Sequence, residues 1–159
     1  MSEIDGLRQR VETARRGYAA LPRDGWGELG PADERTGERW VRGHVLGHVA
    51  EMVPYWTGQV RDVLDGGTVM GRDEAGAVRR RSGIDSGHDA GEESLAGRVD
   101  AGLDGLLALL GAMSDADLDR RVTFRGDMGD REVDLRAAIQ MLLVGHLEEH
   151  LAQLAELGG

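Results

Sequence analysis

Four of the 5 histidines in this chain of 159 residues form two pairs of the type H-x-x-x-H: His44 with His48, and His146 with His150. Two residues four positions apart lie on one face of a helix, about 5–6 Å apart at Cβ. That spacing lets two imidazoles share one ion, which then needs at least one further ligand from elsewhere in the chain. The other use of such a pair is at the edge of a core, where each ring must find a hydrogen-bond partner because an unpaired buried polar group is costly. For "VGHLEEHLAQL" both readings stand. His88, within "DSGHDAG", is expected to be exposed in a loop. "HLEEH" also fits the H-x-x-E-H order of the inverted zinc proteases, with Glu149 as base. That reading fails because such enzymes need a third ligand well downstream of the pair. Glu148 and Glu149 are therefore assigned to the solvent face, with Glu149 a candidate acceptor beside the site.

Helical segments must carry these rings. Ile4, Leu7, Val11, Ala14, Tyr18 and Leu21 recur at steps of three and four, which predicts a helix from about Ser2 to Leu21, capped by Ser2 and Asp5. "PRDGWGELGPADERTGE" follows as a loop. A second helix is predicted from near Glu38 to Leu64, with Val41, Val45, His48, Met52, Tyr55 and Gln59 in one stripe and Val49, Val53, Trp56, Val60 and Val63 beside it. Pro54 should kink it without breaking it. Gly43, Gly47 and Gly58 each weaken a helix by about 1 kcal/mol relative to alanine, unless another helix needs the room. Residues 65–91 show no strong period and are expected to form a long connection. A third helix is predicted from Glu92 to Met113, then a short one capped by Ser114 and Asp117. "VTFRGDMGDREV" reads as irregular or as a small hairpin-like turn. A fourth helix from Val133 to Leu157 places Leu135, Ile139, Leu142, His146, His150 and Leu154 inward. The fold class expected is all-α: a four-helix bundle in a single domain, 1–159.

Composition narrows the partners. The formal net charge of -10 gives no electrostatic footprint for nucleic acid and disfavours anionic lipid. No apolar run approaches the roughly 18 residues of a membrane span, and the N-terminal residues lack the apolar stretch of a signal peptide, so a cytoplasmic location is expected. The local run Arg79, Arg80, Arg81 is a solvated loop or a small-anion site. The chain has no cysteine, which removes disulfides, thiolate metal sites and a thiol nucleophile of its own. It also lacks lysine and asparagine, so all 19 basic residues are arginine.

"RWVRGHVLGHVAEMVPYW" resembles the second-helix motif of the DinB/YfiT-like superfamily, in which a tryptophan opens the helix and a metal-binding histidine follows eight residues later. Trp40 and His48 fit that pattern. "GHLEEHLAQL" is similar to the family's last-helix H-x-x-x-H, and the order and spacing of the segments match over nearly the whole chain. The resemblance implies that His48, His146 and His150 hold one divalent metal ion, zinc first and nickel, iron or cobalt otherwise. It leaves His44 unassigned, at the helix start and beside the mouth of the site. Three neutral ligands leave a coordination position open, the arrangement of catalytic rather than structural zinc.

Members of the family are similar to mycothiol- or bacillithiol-dependent S-transferases and to the N-terminal domain of the mycothiol-dependent maleylpyruvate isomerase. The partners implied are thus a low-molecular-weight thiol and a small electrophilic substrate, in a possible homodimer. The lysine-free, glycine-rich composition suggests a GC-rich, actinobacterial source and so mycothiol. Arg42, Arg72 and Arg125 are the candidates for orienting anionic groups of a substrate. The alternatives are a metal-dependent hydrolase, with Glu51 or Glu149 as the carboxylate base, and a non-enzymatic metal-binding stress-response bundle.

Overall fold

The computed structural model describes residues 1–21, 29–32 and 39–158, with the side chains of 29–32, 39–40, 88 and 157–158 outside the description. Helix α1 (Glu3–Ala19) opens on the capping box expected of Ser2 and Asp5. The Ser2 Oγ accepts from the Asp5 N–H at 3.0 Å, and the Asp5 carboxylate accepts from the Ser2 N–H at 3.3 Å. Two short strands, β1 (Leu29–Ala32) and β2 (Arg39–Val41), pair antiparallel. Helix α2 (Arg42–Leu64) therefore starts later than the expected Glu38, and Trp40 precedes it in β2. How the Trp40 side chain packs lies outside the described residues. The helix runs on through Pro54.

Residues 65–91 are not a loop, which corrects the sequence reading. They contain β3 (Val69–Gly71) and a 17-residue helix, α3 (Glu74–Ala90), opened by Asp73, whose carboxylate accepts from the Gly76 N–H at 2.7 Å. The missed helix has few large apolar residues, "EAGAVRRRSGIDSGHDA", so hydrophobic periodicity is silent there. His88 lies within it rather than in a loop. Helix α4 (Glu92–Ala112) buries Leu95, Val99, Leu103, Leu106 and Leu110 as expected. The Ser114–Asp117 box opens a 3-10 turn (Asp115–Asp119).

The hairpin-like stretch is a true hairpin, β4 (Arg121–Gly126) with β5 (Gly129–Asp134), and β3 joins β4 in parallel to give the order β3-β4-β5. The last helical run is α5 (Leu135–Ile139), a π-helical turn (Gln140–Val144) and α6 (Gly145–Gly158); Val133 belongs to the strand before it. The expected plain four-helix bundle is thus corrected to a mostly helical fold with a fifth long helix and a small sheet. Among the described residues no helix is long and apolar enough to cross a membrane.

The four periodic segments share one core. Helix α2 runs through its middle and is buried on nearly every side, including Gly43, Gly47 and Glu51. Its outer partner is α3, and the two meet backbone to backbone. A Cβ on Gly47 would lie 2.7 Å from the Gly87 Cα and closer still to the Gly83 carbonyl oxygen; one on Gly83 would lie 2.8 Å from the Glu51 Cβ, and one on Gly87 would strike the Gly43 carbonyl oxygen. Glycines four apart on each helix let the axes approach more closely than side chains permit.

Gly58, on the same helix, has nothing within 4 Å of such a Cβ. The two sites should respond with opposite sign. Gly58→Ala should raise stability by about 0.5–1 kcal/mol through helix propensity. Gly47→Ala should lower it by about 1–3 kcal/mol or more, because backbone cannot yield as a side chain does. Urea denaturation of both variants checks this, and two stabilising substitutions would show that the helices are not in contact here.

Candidate metal centre

Three of the described histidines converge. His48 from α2 and His146 and His150 from α6 each bring one ring nitrogen to a common place, all within 4.8 Å of one another. The His48 and His150 rings meet edge to face, centroids 5.0 Å apart, and those of His146 and His150 lie 5.6 Å apart. An ion with bonds of about 2.0–2.1 Å draws its ligand nitrogens to about 3.4 Å from each other. Small side-chain rotations supply the difference.

The π-turn sets the direction of two of the three rings. A π-turn holds one residue more than an α-turn, which rotates everything beyond it by about 100°. The Gly145 N–H closes it by donating to the Gln140 carbonyl, and a Cβ on Gly145 would lie 2.6 Å from that oxygen. Glycine directly before His146 is what this geometry demands. His150 is then fixed from its own helix, its Nδ1 3.1 Å from the Gln153 Oε1. The Gln153 side chain thereby engages Nδ1, and Nε2 is the ring nitrogen left for another partner. Sequence reasoning missed Gln153, although a polar residue three positions after a candidate ligand is the signal that marks it.

Burial keeps all three rings neutral, the state in which imidazole binds a metal. His48, 5% exposed, is pushed far below the ordinary histidine range by desolvation, with His150, Arg80, His146 and Arg72 adding repulsion. His146 is lowered by desolvation and by Arg80 against an opposing pull from Glu149. His150 is lowered by desolvation, opposed by its Gln153 bond. The His146 Nδ1 is buried and makes no hydrogen bond, a cost that a ligand at this ring relieves. Three neutral nitrogen donors, one carrying an orphaned buried atom, fit a divalent ion of the zinc type.

A cavity of about 640 Å³ opens beside the histidines. It is lined by His48 and His146, by Trp56 and Phe124, and by Arg72, Arg80, Arg81 and Arg125. Two of the expected arginines are therefore here. The Gln59 side chain fixes Arg72 by clamping the backbone of Gly71, accepting from its N–H at 2.8 Å and donating to its carbonyl at 2.7 Å. Arg72 then forms a bidentate pair with buried Glu51 at 2.6 and 3.1 Å and lies 4.1 Å over the Tyr55 ring. Strand pairing sets Gly71 opposite Arg125. Arg42 is elsewhere, 2% exposed, in a separate hollow with Tyr18, Leu46 and Leu103.

His44 belongs to the start of α2, where its Nδ1 accepts from the Val41 N–H at 3.3 Å; it is outside the three-histidine cluster. Glu149 is exposed and acts on His146 and His150 through its charge alone, among the interactions described. Arg80 and Arg81, expected in a loop, are presented to the cavity by α3.

These features define a class, a helical protein with an inward three-histidine centre under an arginine-lined cavity. The chain belongs to the DinB superfamily, whose family model matches residues 31–154. No curated protein and no solved structure matches it.

Two outcomes are expected. Gln153→Leu should weaken zinc or nickel binding by about 10- to 100-fold while the fold persists, as loss of an orienting partner does elsewhere; calorimetric titration of the metal checks this, and unchanged affinity would make the Gln153 contact incidental. In metal-free protein the lowered histidines take up protons more readily when unfolded. Stability should fall as pH drops below about 6.5, the unfolded value, with no contribution above it. Thermal midpoints between pH 7.5 and 5 should decline less steeply when all three histidines are glutamine.

Proposed function

We propose that the chain is a divalent-metal-dependent thiol transferase, joining a low-molecular-weight thiol, mycothiol first, to a small electrophile. The observation that carries the reading is the donor set: three histidines held neutral by burial, two of them lining a cavity, in a chain without cysteine. A divalent ion there supplies Lewis acidity, lowering the pKa of a thiol that reaches it. His48, His146 and His150 would hold that ion, and Gln153 would orient the His150 ring through its Nδ1. Trp56 and Phe124 offer apolar surface to the body of a ligand, and the arginines favour the ionised form of whatever acid enters.

A specific observation weighs against the hydrolase alternative. A metal hydrolase needs a carboxylate placed to take a proton from water. Of the two carboxylates expected in that role, Glu51 is spent on Arg72 and Arg79, the latter at 3.3 Å, and Glu149 is exposed and does not line the cavity, which leaves the exposed Asp127 as the carboxylate among the lining residues. Thiol transfer needs no such base, because ionisation at the metal is enough. The non-enzymatic reading gives the cavity no role.

Metal-loaded protein should consume mycothiol in the presence of chlorodinitrobenzene, at a pH below the free thiol pKa, faster than the triple variant His48→Ala, His146→Ala, His150→Ala. Equal rates for wild type, variant and buffer, across several electrophiles and with bacillithiol also tried, would overturn the thiol reading.

A further inference from the structure

The cavity carries a charge pattern that the thiol chemistry alone does not require. The chain as a whole has a net charge of -10, yet four arginines and a single aspartate, Asp127, line this one cavity. They arrive from separate elements: Arg72 after β3, Arg80 and Arg81 on α3, and Arg125 on β4. The placements differ in kind. Arg72 is neutralised by Glu51 and clamped over Tyr55, so it serves as wall. Arg80 lines the same cavity as His48 and His146, and its charge lowers all three histidines. Arg81 and Arg125 are exposed along the rim, and the described acid paired with Arg125, Asp130, is 3.8 Å away and itself exposed. Between rim and centre lie the Trp56 and Phe124 rings, 6.3 Å apart.

We propose that this cavity is an anion-recognition site, and that the substrate taken there is a small molecule whose carboxylate or phosphate end is received by Arg81 and Arg125 while its apolar body lies on Trp56 and Phe124. The inference rests on the metal-centre reading for the direction in which the ligand points, since the reactive end must face the histidines. Guanidinium groups are forks matched to carboxylate and phosphate oxygens. A cluster of positive groups in a cleft of an otherwise acidic protein also concentrates anions there. The volume, about 640 Å³, suits a ligand of metabolite size rather than a lone inorganic ion.

The test is anion binding to metal-free protein by calorimetry, which needs neither a metal nor turnover. The probes are succinate, inorganic phosphate and the neutral isostere succinamide. Succinate or phosphate should bind and weaken with added salt, and succinamide should not bind. The stronger of the two anions tells carboxylate from phosphate as the recognised end. The double variant R81Q/R125Q should lose about tenfold or more in affinity, as expected for losing hydrogen bonds to a charged group. Its circular dichroism and zinc titration should match wild type, because both side chains are exposed. Failure of both anions to bind, or equal binding by the double variant, overturns the proposal and leaves the thiol reading standing. Thiol transfer absent from a protein that binds succinate in this way would overturn the thiol reading alone.

Discussion

The backbone-to-backbone approach of α3 against α2 decides where the site can be. Gly43 and Gly47 on one helix meet Gly83 and Gly87 on the other, with no room for a Cβ between them. Because α3 sits this close, it covers the outer side of a helix whose inner side is already packed against α4 and α6, and α2 becomes buried nearly all round. His48 is desolvated as a result. The same approach carries Arg80 and Arg81 to the edge of the cavity. Had larger residues stood at these four positions, α3 would ride further out and His48 would sit nearer water, with an ordinary histidine's affinity for protons.

The second constraint is phase. A stripe read as Leu135, Ile139, Leu142, His146, His150 and Leu154 advances by four residues more often than an α-helix of 3.6 residues per turn allows. The π-turn at Gln140–Val144 absorbs the excess. It keeps Leu142, Leu143 and Leu147 in the core and still delivers both histidines to the face where His48 waits. Such turns hold poorer hydrogen-bond geometry than regular helix and are met mostly at functional sites.

What the sequence made legible follows from this. Helices α1, α2, α4 and the last run were readable because each buries a large apolar stripe, and the two capping boxes were readable because they are local. The three-histidine set was suggested by resemblance, while periodicity alone left the shared ion and the satisfied core both open for His146 and His150. Helix α3 was invisible for the reason that makes it useful. Glycines occupy the positions where a periodic helix would show leucine, and arginines occupy the face toward the cavity. Strand β3 was equally hidden, three residues long and defined by pairing with a distant β4. The π-turn leaves only its oversized steps as a trace. Glu51 looked like a free carboxylate, since nothing in its neighbourhood along the chain reveals that Arg72 and Arg79 both reach it.

Charge ties these parts together. Three neutral imidazoles contribute no negative charge to an ion, and Arg80 opposes any cation at the centre. The buried carboxylate best placed to compensate, Glu51, already answers two arginines, while Glu149 and the cavity-lining Asp127 are exposed, where their fields are screened. A divalent ion held here would therefore meet positive charge from Arg80 that Glu51, already paired, does not offset. Such a field would favour the deprotonated form of an acidic ligand over the protonated one, the same sign of charge effect that adds to burial in keeping the histidines neutral.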